Sequence, residues 1–225
     1  MNSPHRRIGF AARTAAVLLF ISLLSACGHT PVSRTVADAF GKGAPVSDVS
    51  LNPNLSYLRV VYQGREALMV LGYSDPHPVG TIDTWYSRDG EMIRLQNGRI
   101  QATAGLGLDW RSVSYQSLPS WQSIVEKTNA QFSRVRDEMP GYRFGIRDTV
   151  AVYATAPPKD APLKGIAAAD LFWFEETVSG VDPRQRPSAR YGVRNGPEGP
   201  IVVYGEQCLS LQLCIAWQTW PAVPQ

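Results

Sequence analysis

Residues 55–73 read LSYLRVVYQGREALMVLGY, and residues 81–111 read TIDTWYSRDGEMIRLQNGRIQATAGLGLDWR. In both stretches, apolar runs rich in Val, Ile, Leu and Tyr are separated by the dipeptides Gln63-Gly64, Asp89-Gly90 and Asn97-Gly98. Asp-Gly and Asn-Gly supply the positive φ angles that tight hairpin turns need. The sequence therefore predicts an antiparallel meander here, on which the rest of the domain is built.

Downstream of the meander, strand-like patterns alternate with loops broken by proline and glycine. The predicted strands are Tyr142–Ile146, Thr149–Thr155, Leu171–Val178, Pro187–Val193, Ile201–Glu206 and Cys214–Trp220. Between Trp121 and Met139, apolar residues recur at three- and four-residue spacing, which predicts an amphipathic helix ended by Pro140-Gly141. We therefore expect a mainly β domain over 55–221, an antiparallel curled sheet or partial β-barrel with one amphipathic helix packed on it.

The N-terminus has the organisation of an export signal. Its basic start is followed by a short apolar core, Ala15–Leu24, which at about half the length of a bilayer span is too short to cross a membrane. The core ends in Leu24-Ser25-Ala26-Cys27, a pattern typical of bacterial lipoprotein signals, in which the cysteine thiol takes the diacylglyceryl group. We expect a signal peptide over 1–26 and a lipid anchor at Cys27. Gly28 in the next position favours the outer membrane, with the domain on its periplasmic face.

Residues 27–54 are rich in Ser, Ala, Gly and Pro and are interpreted as a tether between lipid and domain. A short helix at 31–40 and a disordered leash are equally good interpretations of its middle.

The chain has 22 Lys+Arg and 19 Asp+Glu, and removing the signal removes Arg6, Arg7 and Arg13. The remaining chain is neutral and has no basic run, so nothing in it indicates nucleic-acid binding.

Residues that could carry catalysis are few. After the signal only His29 and His77 remain as histidines, and no spacing of His, Cys and carboxylates predicts a metal site. Glu175 and Glu176 are adjacent, so on a strand they face opposite sides and could not flank one sugar bond. We expect no enzymatic activity, no metal and no cofactor.

Tryptophans are the residues that most directly suggest a ligand, because their faces can stack on sugar rings. Trp85, Trp110 and Trp173 are the candidate glycan contacts. Buried aromatics more often belong to a core. Two classes of function can be separated by shape: a glycan-contacting module predicts an open groove with tryptophan faces and polar groups, whereas a lipid carrier of the lipoprotein-sorting type predicts a large dry cavity.

The same stretch resembles the YjbF/GfcB family of outer-membrane lipoproteins. The resemblance is carried by Tyr57-Leu58-Arg59, Val70-Leu71-Gly72-Tyr73, Trp85, Asp89-Gly90, Asn97-Gly98-Arg99, Thr103 and Gly105-Leu106. It implies a role in producing or exporting a capsular or extracellular polysaccharide. It also implies an outer-membrane β-barrel partner and a periplasmic export partner, with polysaccharide itself as a further candidate partner, and it supplies no catalytic residues.

The family comparison also bears on Cys208 and Cys214, the cysteines that remain once Cys27 is acylated. In one straight strand they would lie about 20 Å apart, which is too far for a bond. The resemblance instead places a hairpin connection between Glu206 and Cys214. In an oxidising compartment we then expect a Cys208–Cys214 disulfide, the alternative being two small buried residues.

The anchor at Cys27 is tested by Cys27→Ser. Without the thiol no diacylglycerol can be attached, so the variant should appear as a soluble or uncleaved periplasmic protein. Membrane fractionation followed by immunoblotting measures this. Recovery of the variant in the outer-membrane fraction at the wild-type level would contradict the lipid anchor.

Overall fold

The structure, a computed structural model, describes Val46 and residues 49–179 and 189–222. Within these ranges it contains one α-helix, α1 (Trp121–Lys127), and a short 3-10 turn at Ala168–Asp170. The strands are β1 (Tyr57–Tyr62), β2 (Arg65–Asp75), β3 (Ile82–Ser87), β4 (Met92–Gln96), β5 (Arg99–Ala104), β6 (Asp109–Gln116), β7 (Asn129–Met139), β8 (Arg143–Thr155), β9 (Phe172–Ser179), β10 (Ala189–Gly196), β11 (Gly199–Ser210) and β12 (Leu213–Trp220).

All the strands form one antiparallel sheet in the order β5-β4-β3-β2-β1-β12-β11-β10-β9-β8-β7-β6. The sheet curls until its two edges, β5 and β6, lie side by side and are joined by side chains. The Trp110 amide donates to Thr103 Oγ1 at 3.1 Å, and the Tyr115 hydroxyl donates to the Ile100 carbonyl at 2.6 Å. The predicted mainly β, barrel-like architecture is therefore confirmed, as a nearly closed barrel.

The two ends of the barrel differ. One end carries α1, the 76–81 loop and the β10–β11 turn, and we call it the helix end. The other end carries the β1–β2, β7–β8 and β11–β12 turns, and we call it the hairpin end.

The turn chemistry of the meander is confirmed at two of its three dipeptides. Gln63 and Gly64 have φ of 49° and 71°, and Asn97 and Gly98 have 49° and 75°, as type I′ turns require. At Asp89-Gly90 only Gly90 is left-handed, because the loop there is longer, with the Ser87 amide bonded to the Glu91 carbonyl. A Cβ at Gly98 would lie 2.5 Å from Val202 Cβ, so close packing also requires this glycine.

The predicted helix over Trp121–Met139 is wrong beyond its first two turns. Ser120 caps the N-terminus of α1 by accepting from the Ser123 amide, and Thr128, with φ of 59°, ends the helix. The remaining residues form β7, whose inward face alternates as Phe132, Arg134, Arg136 and Glu138. Three of those inward side chains are charged, so the hydrophobic pattern did not reveal the two-residue period of a strand.

The boundaries of the other predicted elements differ less from those in the structure. The two strands predicted at Tyr142–Ile146 and Thr149–Thr155 are one strand, β8, and β2 continues through Ser74 and Asp75 into the predicted loop. The end of the predicted tether is packed: Val46 clusters with Tyr57, Leu68 and Val70, and Leu51 and Leu55 join that cluster. Cys27, His29, the possible helix at 31–40 and Pro187-Ser188 lie outside the described residues.

The barrel interior combines aromatic rings with a buried, charge-balanced network. It holds three arginines and three carboxylates, which are Arg99, Arg134, Arg136, Glu138, Asp148 and Glu176. Arg134 and Arg136 both donate to Asp148 Oδ2, at 2.8 and 2.7 Å, and both lie over the ring of Trp110. Burying charges costs several kcal/mol each unless they are paired in this way.

Arg99 is the most central member of the network. Its Nε donates to Glu176 Oε1 at 2.6 Å, and its guanidinium carbon lies 3.9 Å from the ring centre of Trp121. The Tyr191 hydroxyl lies 3.4 Å from Glu176 Oε2, and burial, with the negative charge of Glu176, raises the pKa of Tyr191 well above its ordinary value. One ion pair thus connects the edge strand β5 to β9, and its neighbours connect it to α1 and β10.

The β11–β12 hairpin is cross-linked. Cys208 and Cys214 face each other in the strand register, with Cα atoms 3.8 Å apart, and their sulfurs are joined in a disulfide. The bond closes the short turn at Leu211-Gln212, which has no glycine or proline.

The buried Arg99–Glu176 ion pair leads to a prediction about the stability of the fold. Arg99→Met or Glu176→Gln alone should lower the free energy of unfolding by about 3–5 kcal/mol, because each leaves a buried partner without its counter-charge. The double variant should lose less than the sum of the two. Urea unfolding measures all three. The exposed Arg147→Met is the control and should change stability by about 0.5 kcal/mol or less. Additive losses in the double variant would contradict a coupled pair.

Candidate functional site: a groove at the helix end

A groove of about 650 Å³ opens at the helix end, where residues 51–57 cross the ends of β1, β2, β3, β11 and β12. Three aromatic rings contribute to its walls, Tyr57, Trp85 and Trp220. Its aliphatic lining includes Leu51, Leu55, Leu71 and Ile201, and Ile201 is 43% exposed.

Polar side chains surround these rings. They are Asn52, Ser56, Ser74, Thr81, Asp83, Arg194 and Thr219. Asp83 accepts from the Ser74 hydroxyl, and the Tyr57 hydroxyl accepts from the Asn52 amide at 2.9 Å, so two of the lining groups are held in place. Arg194 forms no ion pair with any described residue, and its guanidinium is free to meet a ligand. The groove thus combines apolar faces with separate hydrogen-bonding groups. It carries one carboxylate, that of Asp83, and one guanidinium, that of Arg194.

A second cleft, of about 570 Å³, adjoins the groove. It is lined by Gly80 and Pro200, the chain neighbours of the groove residues Thr81 and Ile201, and by Asn97, Trp121 and Gln122 of the helix region. The Trp121 indole donates to the Asn97 carbonyl at 2.8 Å, which fixes α1 over this cleft. The two clefts together follow the β10–β11 turn, an arrangement that would accommodate an extended ligand.

The structure separates the three tryptophans that the sequence had grouped. Trp85 lines the groove, although only 7% of it is exposed, so it contributes a wall and little stacking face. Trp110 is fully buried inside the barrel under Arg134 and Arg136. Trp173 is 3% exposed, packs against Tyr204 and donates its indole N–H to the Ala168 carbonyl at 2.7 Å. The expectation that a sugar stacks on Trp110 or Trp173 is therefore corrected.

Two groove residues were missed by the sequence analysis, Trp220 and Arg194. Trp220 is half-buried at the end of β12. Leu213, Ile215 and Trp217 belong to the interior core, so strand alternation puts Trp220 on the opposite face. That alternation was the available signal. No comparable signal exists for Arg194, whose place depends on pairing between distant strands.

A third cleft, of about 480 Å³, lies on the outer face and collects Asp160, Glu175, Glu206 and Arg190. Arg190 donates to Asp160 at 2.8 Å and to Glu206 at 2.7 Å. The hydrogen bond from Arg190 lowers the pKa of Asp160 below its ordinary value. The charges in this cleft largely satisfy one another.

Glu175 and Glu176, the adjacent carboxylates considered for catalysis, lie in different surroundings, and Asp109 lies apart from both. Glu176 is paired with Arg99 inside the barrel, Glu175 lines the outer cleft, and Asp109 accepts from Thr103 and from the amides of Gly105 and Leu106. His77 is exposed, and its Nδ1 accepts from the Val79 amide at 3.2 Å. Within the described residues, no group of three His, Cys, Asp or Glu side chains has metal-site geometry. In that same part of the chain, no helix has the length and hydropathy of a membrane span.

A nearly closed antiparallel sheet with one capping helix defines a mainly β, barrel-like domain. Its family follows from comparison: the family model described as "Group 4 capsule polysaccharide lipoprotein gfcB, YjbF" matches residues 45–195, so this chain belongs to that family. The crystal structure of the hypothetical lipoprotein YmcC from Escherichia coli K12 has a similar fold, with a TM-score of 0.53 and 16% identity over 76% of this chain and 86% of that one. A comparison with curated proteins finds no match.

Most of the residues that carried the family resemblance stabilise the fold or form its turns. Arg99 forms the central ion pair, Asn97-Gly98 forms a turn, and Thr103 joins the barrel edges. A Cβ at Gly72 would lie 2.6 Å from the ring of Tyr86. Of this set, Tyr57 and Trp85 also line the groove, together with Leu71.

Proposed function

We propose that this protein is a lipoprotein held through Cys27 at the periplasmic face of the outer membrane, where it takes part in producing or exporting a capsular or extracellular polysaccharide without catalysing a reaction. The groove at the helix end is the surface that contacts the polymer. The observation that carries the proposal is the composition of that groove, with Trp85 and Trp220 surrounded by polar side chains, in a member of a capsule polysaccharide family.

The composition of the groove suits a sugar chain. A sugar ring presents an apolar C–H face and a circumference of hydroxyl groups, so a site for it needs both an aromatic surface and separate donors and acceptors. Trp220 and Ile201 supply partly exposed apolar surface, and Asp83 and Arg194 supply an acceptor and a donor. The adjoining cleft would let more than one sugar unit lie along the same end of the barrel.

The barrel interior argues against the alternative, a carrier for an acyl chain. A carrier needs dry, apolar space inside the sheet. The interior positions hold large side chains, with Arg99, Arg134 and Trp110 among those that are fully buried. An acyl chain could enter only by separating these arginines from Glu176 and Asp148, which would leave charges unpaired in an apolar medium. The groove function needs no such rearrangement.

The resemblance also suggests how the protein is placed among partners. We propose an outer-membrane β-barrel protein and a periplasmic polysaccharide-export protein as its neighbours. In this arrangement the lipoprotein contacts polymer in transit, and its contribution is binding and positioning. The neutral charge of the chain without its signal supports a role that does not depend on strong electrostatic attraction.

The proposal is tested by complementing a deletion strain with groove variants. Deletion should reduce secreted polysaccharide, wild type should restore it, and Trp220→Ala should restore little. Truncating an aromatic anchor at a binding site costs about 2 kcal/mol, or roughly thirtyfold in affinity. Secreted polymer is measured under inducing conditions and normalised to the lipoprotein level by immunoblot.

Two further variants keep the test decisive. Ile201→Glu places a charge in the groove at a partly exposed position, so it should reduce polymer without loss of folding. Phe172→Ala removes an exposed aromatic ring outside the groove and should complement fully. Full polymer yield from both groove variants at normal protein levels would overturn the groove as the functional surface. Normal yield in the deletion strain would overturn the pathway itself.

A further inference from the structure

The hairpin end of the barrel carries exposed apolar side chains that the groove does not use. At the β7–β8 turn, Tyr142 is 74% exposed and Phe144 is 63% exposed, with their rings 6.4 Å apart. Leu211, at the β11–β12 turn of the same end, is 62% exposed. Tyr and Trp are enriched at the boundary between a membrane and water, since their rings are apolar in body and carry one polar group, and Phe contributes apolar surface to interfacial segments.

The backbone conformation of Tyr142 costs free energy because its φ angle is positive. Tyr142 has a φ of 54°, a left-handed conformation that a side chain with a Cβ rarely adopts. Gly141 beside it, with φ of 103°, is the residue type that accepts such angles freely. Strain of this kind persists where the surroundings or a function require it. Here its result is an aromatic ring directed away from the barrel.

Charged side chains of both signs lie at the hairpin end, and several of its arginines have no ion-pair partner among the described residues. The arginines near the hairpin end that form no ion pair with described residues are Arg65, Arg88, Arg111 and Arg147. Arg143 is partly exposed and contacts Glu138 at 3.0 Å. Of the carboxylates at this end, Glu66 is neutralised by Arg59 and Lys164, and Asp89 is exposed. Glu91, Asp109 and Asp137 accept hydrogen bonds from hydroxyl or amide groups, whereas the four arginines have no acidic partner in the described part of the chain. Exposed aromatics among unpaired arginines match a surface that is apolar beneath and anionic on top.

The tether cannot by itself orient the domain. From Cys27 to Val46 there are 19 residue steps, which can reach at most about 65 Å. The barrel is shorter: β8, with 13 residues, spans roughly 30 Å along the barrel axis once strand tilt is included. Either end of the barrel could therefore face the membrane unless a second contact selects one.

We propose that the β7–β8 tip is this second contact: Tyr142 and Phe144 insert at the headgroup level of a bilayer containing anionic phospholipid, and the arginines of the hairpin end contact the lipid phosphates. The groove then faces away from the membrane, toward the periplasm. This inference rests on the lipid attachment in the proposed function, and its test separates the two.

A single introduced cysteine makes the test possible, because Cys208 and Cys214 are bonded to each other and an acylated Cys27 has no free thiol. The full lipidated chain carrying Tyr142→Cys is labelled with an environment-sensitive fluorophore and reconstituted into vesicles of phosphatidylcholine with or without phosphatidylglycerol. Glu198→Cys, exposed at the helix end, is the matched control. A label at 142 should shift to the blue and brighten several-fold in anionic vesicles, while a label at 198 stays as in water.

Phe144→Ser and Arg147→Gln, each added to the labelled protein, should reduce the shift at 142, because each removes part of the contact. Equal, water-like emission at 142 and 198 in vesicles that retain the protein would overturn the tip contact and leave the anchor standing. Failure of the vesicles to retain the protein would overturn the anchor, and the inference with it. A shift of the same size without phosphatidylglycerol would overturn the role of anionic lipid.

Discussion

The buried ion pair between Arg99 and Glu176 is the constraint on which the rest of the structure depends. It joins β5, at one edge of the sheet, to β9 across the barrel, and Trp121 of the capping helix lies on the same guanidinium. A charge at this position is tolerated only when the sheet closes far enough to bring its partner into contact. Closure, the position of α1 and the filled interior are therefore linked, and the open space available to a ligand is left at the end of the barrel.

Local chemistry made the meander predictable. Asn97-Gly98 and Gln63-Gly64 require turns because of their backbone preferences, and the apolar runs on either side then pair as hairpins. The cysteine pair followed from compartment and family comparison, and β11 and β12 do form a hairpin there. These features depend on residues close together in the chain, which is why the sequence was sufficient for them.

What could not be predicted depends on residues far apart in the chain. Arg134 and Arg136 are inward-facing only because Asp148 and Glu138 accept them, so the inward face of β7 looked like the polar side of a helix. The aromatic residues show the same limit. Only the closed barrel places Trp110 under two arginines, whereas strand alternation was available to separate Trp220 from the interior core.

In the proposed account, the two ends of the barrel have different roles. The family residues mainly build the scaffold, the helix end presents Trp220 and Arg194 to a ligand, and the hairpin end carries basic and aromatic residues. In that account, the lipid attachment and the contact at the hairpin end together hold the groove in a fixed orientation. The buried and charged side chains that fill the barrel interior lie between these two surfaces.

Hydrogen exchange of the purified protein, with and without oligosaccharide fragments of the polymer that its own strain secretes, tests the central claim most directly. The account predicts slower exchange in residues 51–57, 81–85, 194–201 and 219–221, which surround the groove. Exchange should stay unchanged around Arg190 in the outer cleft. Unchanged exchange throughout, or protection confined to the outer cleft, would contradict a polysaccharide-contacting groove.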